Sequence, residues 1–131
     1  MKFGSKVPIA TLCECKDKTG MEIDDPYIRM REGYLFEIID PNTCEPVQFG
    51  IYRHDSIKRW VISCMETGRQ LFVGRPSMPR ETCVEQFKNR YFSQYCIMRS
   101  DYFDGKKQAL FKNMKQEFQD ALKRYAKGGP E

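Results

Sequence analysis

The side chains able to do catalytic or metal chemistry are few and poorly grouped. The single histidine, His54, lies in the polar turn "HDSIK", and no second histidine completes a metal-binding pair with it. Cys13 and Cys15 flank Glu14, but structural zinc asks for four Cys or His ligands, usually as closely spaced pairs. The remaining cysteines, Cys44, Cys64, Cys83 and Cys96, are well separated. A strand would send Cys13 and Cys15 to one face, which suits packing or an incidental thiol pair. Asp24 and Asp25 are an adjacent acidic pair able to hold a divalent cation, although such a pair in a loop is ordinarily solvated. The "ECK" of Glu14–Lys16 has the look of half a nuclease site, yet nothing acidic precedes it. There is no G-x-x-x-x-G-K-[ST], no G-x-G-x-x-G after a strand and no G-x-S-x-G elbow. No catalytic residue, metal site or cofactor is therefore expected, and the chain does not read as an enzyme.

Positive charge beside aromatic rings is the pattern that does gather. Arg53, Lys58, Arg59 and Arg69 fall at strand ends or in turns, and Arg75 and Arg80 follow on the way into a helix. Period-two alternation assigns Val47, Phe49, Ile51, Trp60, Ile62, Leu71 and Val73 to a core face. It assigns Gln48, Gly50, Tyr52, Val61, Ser63, Met65, Gln70 and Phe72 to the opposite one. Arginines neutralise phosphates and aromatic rings stack on bases. Arg53, Lys58, Arg59, Arg69, Tyr52, Phe72 and Arg75 are thus the candidate residues for binding nucleic acid or another partner. The competing reading is that a further element covers this face and leaves the arginines on a solvated rim. Residues 1–50 carry 6 Lys+Arg against 9 Asp+Glu, and residues 51–131 carry 16 against 9, within a net charge of +4. That asymmetry directs the second half toward an acidic or nucleic-acid partner.

The elements that must hold these residues are legible from period and punctuation. "VPIATLCEC" has the composition of a strand, and residues 1–26 are expected to supply either an extra strand or a loosely ordered arm. "YIRMR" and "YLFEIID" alternate on either side of Gly33, which reads as an interruption. "VQFGIYR", "RWVISCM" and "QLFVG" continue the alternation, separated by "HDSIK" and the glycine-bearing hairpin turn "ETGR". Short loops imply antiparallel neighbours. The period then changes: Val84, Phe87 and Tyr91 stand at helical spacing, with Thr82 and Glu85 as a capping box. "QYCIM" reads as a short strand or buried connector. A last helix opens at the cap Asp104, presents Phe111, Met114, Phe118, Leu122 and Tyr125 as an apolar stripe, and ends at Gly128 and Gly129. Its basic outer side, which includes Lys112 and Lys123, reads as a solvated face. The expectation is one α+β domain over 1–131: an antiparallel meander sheet of about four strands followed by two helices packed on one face.

The stretch "GIYRHDSIKRWVISCMETGRQLFVG" followed by "PRETCVEQFKNRY" resembles the three-stranded-sheet-plus-helix DNA-binding domains of plant ethylene-response factors. The arm-binding domains of tyrosine integrases are similar. Trp60, Gly68 and Gly74 carry the likeness within residues 50–91. In those families the sheet enters the major groove, so the resemblance implies DNA contact through Arg53, Arg59 and Arg69.

The leading functional expectation is a small non-enzymatic nucleic-acid-binding module, regulatory or associated with a mobile element. The alternative is a protein-binding inhibitor or adaptor of phage or mobile-element origin, for which a shaped surface with arginine and aromatic anchors suffices. A metal-dependent nuclease built on Asp24 or Asp25 is the least favoured. No apolar run approaches the roughly 20 residues of a membrane span, and the charged start lacks the apolar block of an export signal. A cytoplasmic protein with reduced thiols is expected, and an open sheet edge would permit a homodimer.

Overall fold

The structure, a computed structural model, describes residues 3–13, 19, 26–41, 43–99 and 105–127. The alternating segments form a five-stranded antiparallel meander in the order β1 (Val7–Cys13), β2 (Tyr27–Ile39), β3 (Pro46–His54), β4 (Arg59–Cys64) and β5 (Gln70–Val73). Three helices follow: α1 (Arg80–Arg90), α2 (Phe92–Arg99) and α3 (Gly105–Ala126). The α+β class and the meander are as expected. The extra strand is the one read in residues 1–26, and the helices number three rather than two. Glu14–Lys16, Asp24, Asp25, Asp104, Gly128 and Gly129 lie outside the described residues.

Gly33 does not interrupt β2. The strand runs 13 residues through it, because β1 crosses there with Val7 opposite Gly33. A Cβ at Gly33 would collide with the Ile51 carbonyl oxygen and lie 2.7 Å from Ile9 Cδ1; at Gly50 it would lie 2.9 Å from Ile9 Cδ1 and Cγ2. The two glycines let β1 fold over the sheet and set Ile9 directly on bare backbone. The Leu12 N–H then donates to the Gly68 carbonyl at 2.9 Å, so the first strand reaches the β4–β5 turn and the sheet coils on itself. Ile9, Thr11, Tyr52, Val61 and Ser63 are buried inside this coil. We expect Gly33→Val to cost about 3 kcal/mol, from overpacking against rigid backbone. Thermal denaturation followed by circular dichroism should show Tm falling on the order of 10 °C.

The other face of the sheet receives the helices. Phe36, Ile38, Val47, Phe49, Ile51, Ile62 and Cys64 meet Cys83, Val84 and Phe87 of α1, Phe92 and Tyr95 of α2 and Phe111 of α3. A second cluster sets Phe118 and Ala121 of α3 against Ile28, at the start of β2. The α3 stripe read from Phe111 to Tyr125 therefore faces inward. Gly68, at φ +67°, has no Cβ where the Phe118 ring presses on the turn. The guanidinium of Arg124 donates to the Pro26 carbonyl at 2.6 Å, fastening the far end of α3 to the entry of β2.

Three local expectations change. Helix α1 begins at Arg80 with Pro79 as its N-cap (φ −65°, ψ 153°) and makes no side-chain cap hydrogen bond. The Thr82–Glu85 box lies one turn inside a helix already started by a residue whose ring fixes φ. "QYCIM" is helical, within α2, where Phe92 and Tyr95 at i, i+3 both enter the core. Finally, β4 and β5 shift register between Ile62 and Ser63: Ser63 pairs with Gln70 but Ile62 pairs with Phe72. The extra residue, Leu71, is the bulge, and it moves the rest of β5 to the other face. Phe72 thus joins Ile62 on the helix side, and Val73 stands opposite Val61 inside the coil.

Candidate nucleic-acid interface

Antiparallel pairing sorts the candidate arginines to opposite ends of the sheet. Arg53 pairs with Trp60 and His54 with Arg59, so Arg53, Lys58 and Arg59 share the end where β3 turns into β4. Arg75 belongs there too, since the Gly74 N–H donates to the Trp60 carbonyl at 2.9 Å. Arg69 does not. It sits at the β4–β5 turn, where its Nη2 donates to Glu117 Oε2 of α3 at 2.9 Å. A neighbouring pair, Lys115 with Glu66 at 3.8 Å, ties the same turn to the same helix. Arg69 holds α3 on the sheet rather than lining a surface with Arg53.

The two aromatic candidates also part company. Tyr52 is only 4% exposed, within the coil, with the Arg31 guanidinium 5.0 Å above its ring centroid. Burial raises the Tyr52 phenol above its ordinary pKa, and the nearby Arg31 charge opposes that rise without cancelling it. Phe72 packs on Tyr91 at 5.0 Å and Phe87 at 6.3 Å between centroids. The Tyr52 ring is closed to a base, and the Phe72 ring is half-buried against Phe87 and Tyr91.

At the β3–β4 end the structure instead forms a groove of about 410 Å³. Its lining includes the cations Lys6, Arg29 and Arg53, the carboxylates of Glu32 and Asp55, the apolar Met30, Tyr34 and Trp60, and Arg31, whose guanidinium lies over the Tyr52 ring. The groove exists because β2 outruns β3. Gly33 pairs with Tyr52 and no pair is formed to β3 beyond it, so Tyr27–Glu32 extend alongside β1 alone. Tyr34 and Trp60 lie 6.5 Å apart between ring centroids, tilted by 49°. Arg80 closes one side of the cluster, its guanidinium 4.2 Å from the Phe3 centroid and 4.5 Å from that of Tyr34. Cations held over rings are attracted by the ring quadrupole, and the stack fixes the Tyr34 ring in place.

Of the sequence candidates, Arg53 alone lines this groove, with Lys58, Arg59 and Arg75 near it on the same end. Trp60, read as a core residue, packs against the core and lines the groove as well. Lys6, Arg29 and Arg31 were missed as site residues. The signal for the two arginines was present in "YIRMR", where i, i+2 spacing on a strand puts both on one face.

His54 is held by its turn: its Nδ1 accepts the Ser56 N–H at 3.2 Å. Among the described residues no three of His, Cys, Asp and Glu come together as a metal site. Cys13, Cys44, Cys64 and Cys83 are free thiols. Burial pushes the Cys83 thiol up to about 11, while Cys44 is exposed. Since the thiolate is the reactive form, a maleimide at pH 7.5 should label Cys44 within minutes and leave Cys83 unmodified until the protein is unfolded. Mass spectrometry of the digested adduct checks this. Among the described residues no helix is long and apolar enough to cross a membrane.

Comparison with protein-family models, with curated proteins and with solved structures returns no match to this chain.

Proposed function

We propose that this protein is a non-enzymatic nucleic-acid-binding module and that the groove at the β3–β4 end is its binding surface. One observation carries the reading: three cations, Lys6, Arg29 and Arg53, line one concavity together with Tyr34 and Trp60, beside Arg31, whose guanidinium lies over the Tyr52 ring. Cations there neutralise phosphates, and the rings offer apolar surface to bases. Arg59, Lys58 and Arg75 widen the positive field at the same end. The reading requires no cofactor.

The chain contains one tryptophan, and it lines the groove, so intrinsic fluorescence reports on the site directly. Titration with a mixed-sequence oligonucleotide should quench Trp60 emission. With about three phosphate contacts on a single strand, affinity should fall roughly 20-fold between 50 and 200 mM salt. Absence of any binding at 50 mM salt to single strands and duplexes alike would end the proposal.

A protein-binding role is the second reading, and a different surface supports it. Leu35 and Ile39 are exposed on β2, Ile39 at 57%, in a stretch where β2 is paired with β3 but β1 has already ended at Gly33. Capture of a defined protein partner that is lost on Ile39→Lys, with no oligonucleotide affinity, would favour that role.

A further inference from the structure

Resting on the nucleic-acid reading, we infer that the groove selects single strands and receives an unpaired base at its aromatic and acidic residues. A sheet reads duplex DNA by laying an open face, or a two-stranded ribbon, into a major groove roughly 12 Å wide. Neither a cationic open face nor a free ribbon is offered among the described residues. One face of the sheet lies under the helices; on the other the coil buries Ile9, Tyr52, Val61 and Ser63, and the stretch it leaves open, at Leu35, Glu37, Ile39 and Gln48, carries a carboxylate and no cation to meet phosphates. The β3–β4 hairpin does not project as a ribbon either. Strand β2 flanks it as far as Tyr52 and β5 as far as Val61, with Gly74 bonded to Trp60. Only the Arg53–Trp60 and His54–Arg59 pairs and the turn that joins them extend further.

The concavity has the opposite character. At about 410 Å³ it falls in the size range of small-ligand pockets, room for one splayed base. Recognition of unpaired bases works by stacking on aromatic side chains and hydrogen bonding along the base edge. Trp60 and Tyr34 provide the first. Glu32 and Asp55 provide the second, because a carboxylate only accepts hydrogen bonds and so suits the exocyclic amino groups of bases. The same two carboxylates repel phosphate, which favours the backbone at the cations Arg29 and Arg53. A duplex would have to press its phosphates across both.

Single-stranded DNA and single-stranded RNA share this chemistry, so both belong in the test. The full chain is titrated at 100 mM salt with four fluorescein-labelled probes of one mixed sequence: a 12-nucleotide DNA, the same RNA, and the corresponding DNA and RNA duplexes. Anisotropy should show at least 10-fold tighter binding to one or both single strands than to their duplexes, with Trp60 quenching only by the single strands. Trp60→Leu should weaken single-strand binding roughly 5- to 150-fold, the usual worth of a stacked base, and leave duplex binding unchanged. Because Trp60 also touches the core, Asp55→Asn serves as a second variant at an exposed position: wild type should bind a 12-nucleotide oligo-dC more tightly than oligo-dT, and the variant should lose that difference. Equal affinity for single strands and duplexes would overturn the inference while leaving nucleic-acid binding intact. No binding to any probe would remove the reading on which it rests.

Discussion

Phe49→Ala should destabilise the protein by about 4 kcal/mol, a large share of the roughly 5–15 kcal/mol typical of a domain. Phe49 is fully buried and stacks on Phe36 at 5.4 Å. Its ring also meets Phe87 of α1 at 5.1 Å, and Phe92 and Tyr95 of α2 at 5.8 and 5.3 Å, each edge-on. The side chain is thus the point where the sheet, α1 and α2 touch a common ring. Truncation removes its apolar area from burial and opens a cavity walled by four other aromatics, which cannot collapse together without moving two helices. Tm should fall by on the order of 15 °C. Phe72→Ala, a half-buried ring on the bulged edge strand, should cost about half as much in the same melt. If the two variants melted alike, Phe49 would not be the hub of this core.

The second large effect concerns binding. Arg29→Glu combined with Arg53→Glu should reduce single-strand affinity by roughly 100-fold or more at 100 mM salt, and flatten the salt dependence by about 1.4 log units per decade. Both residues are exposed and line the groove, so stability should change by only about 0.5 kcal/mol. Arg31 is left alone because its guanidinium lies over the Tyr52 ring and its Nε is buried. Lys112→Glu with Lys123→Glu makes the same change of net charge on the exposed side of α3. That pair should weaken binding several-fold at most. Equal losses from the two pairs would mean that overall charge, and not the groove, attracts the nucleic acid. Fluorescence anisotropy in matched buffers measures both.

Much of the architecture was readable because it rests on short-range chemistry. Alternation in Tyr34–Ile38, Val47–Ile51 and Trp60–Cys64 marks half-buried strands, and loops this short leave only antiparallel neighbours. The inward face of α3 followed from the spacing of Phe111, Phe118 and Leu122. The errors arose where one residue or one distant partner decides the outcome. A single bulge residue, Leu71, reverses β5, and nothing in "QLFV" distinguishes a bulged strand from a regular one. In sequence Arg69 is indistinguishable from Arg53, since both flank strands, and its partner Glu117 lies 48 residues further along the chain. The coil of the sheet hung on Gly33 and Gly50, whose meaning depends on β1 crossing above them. Arg29 and Arg31 alternate plainly, but their place in a groove follows from β2 being longer than β3, a matter of pairing that composition does not encode.

The bond from Arg124 to the Pro26 carbonyl spans 98 positions. On a ribosome adding roughly 5–20 residues per second, it cannot form until about 5–20 s after Pro26 has been made. Through that interval Ile28 has no Phe118 or Ala121 to cover it, and the first hairpin waits half-dressed at the tunnel exit. Vectorial synthesis therefore leaves the earliest strands exposed the longest, and a nascent-chain binder arriving in that window would find its apolar target near Ile28.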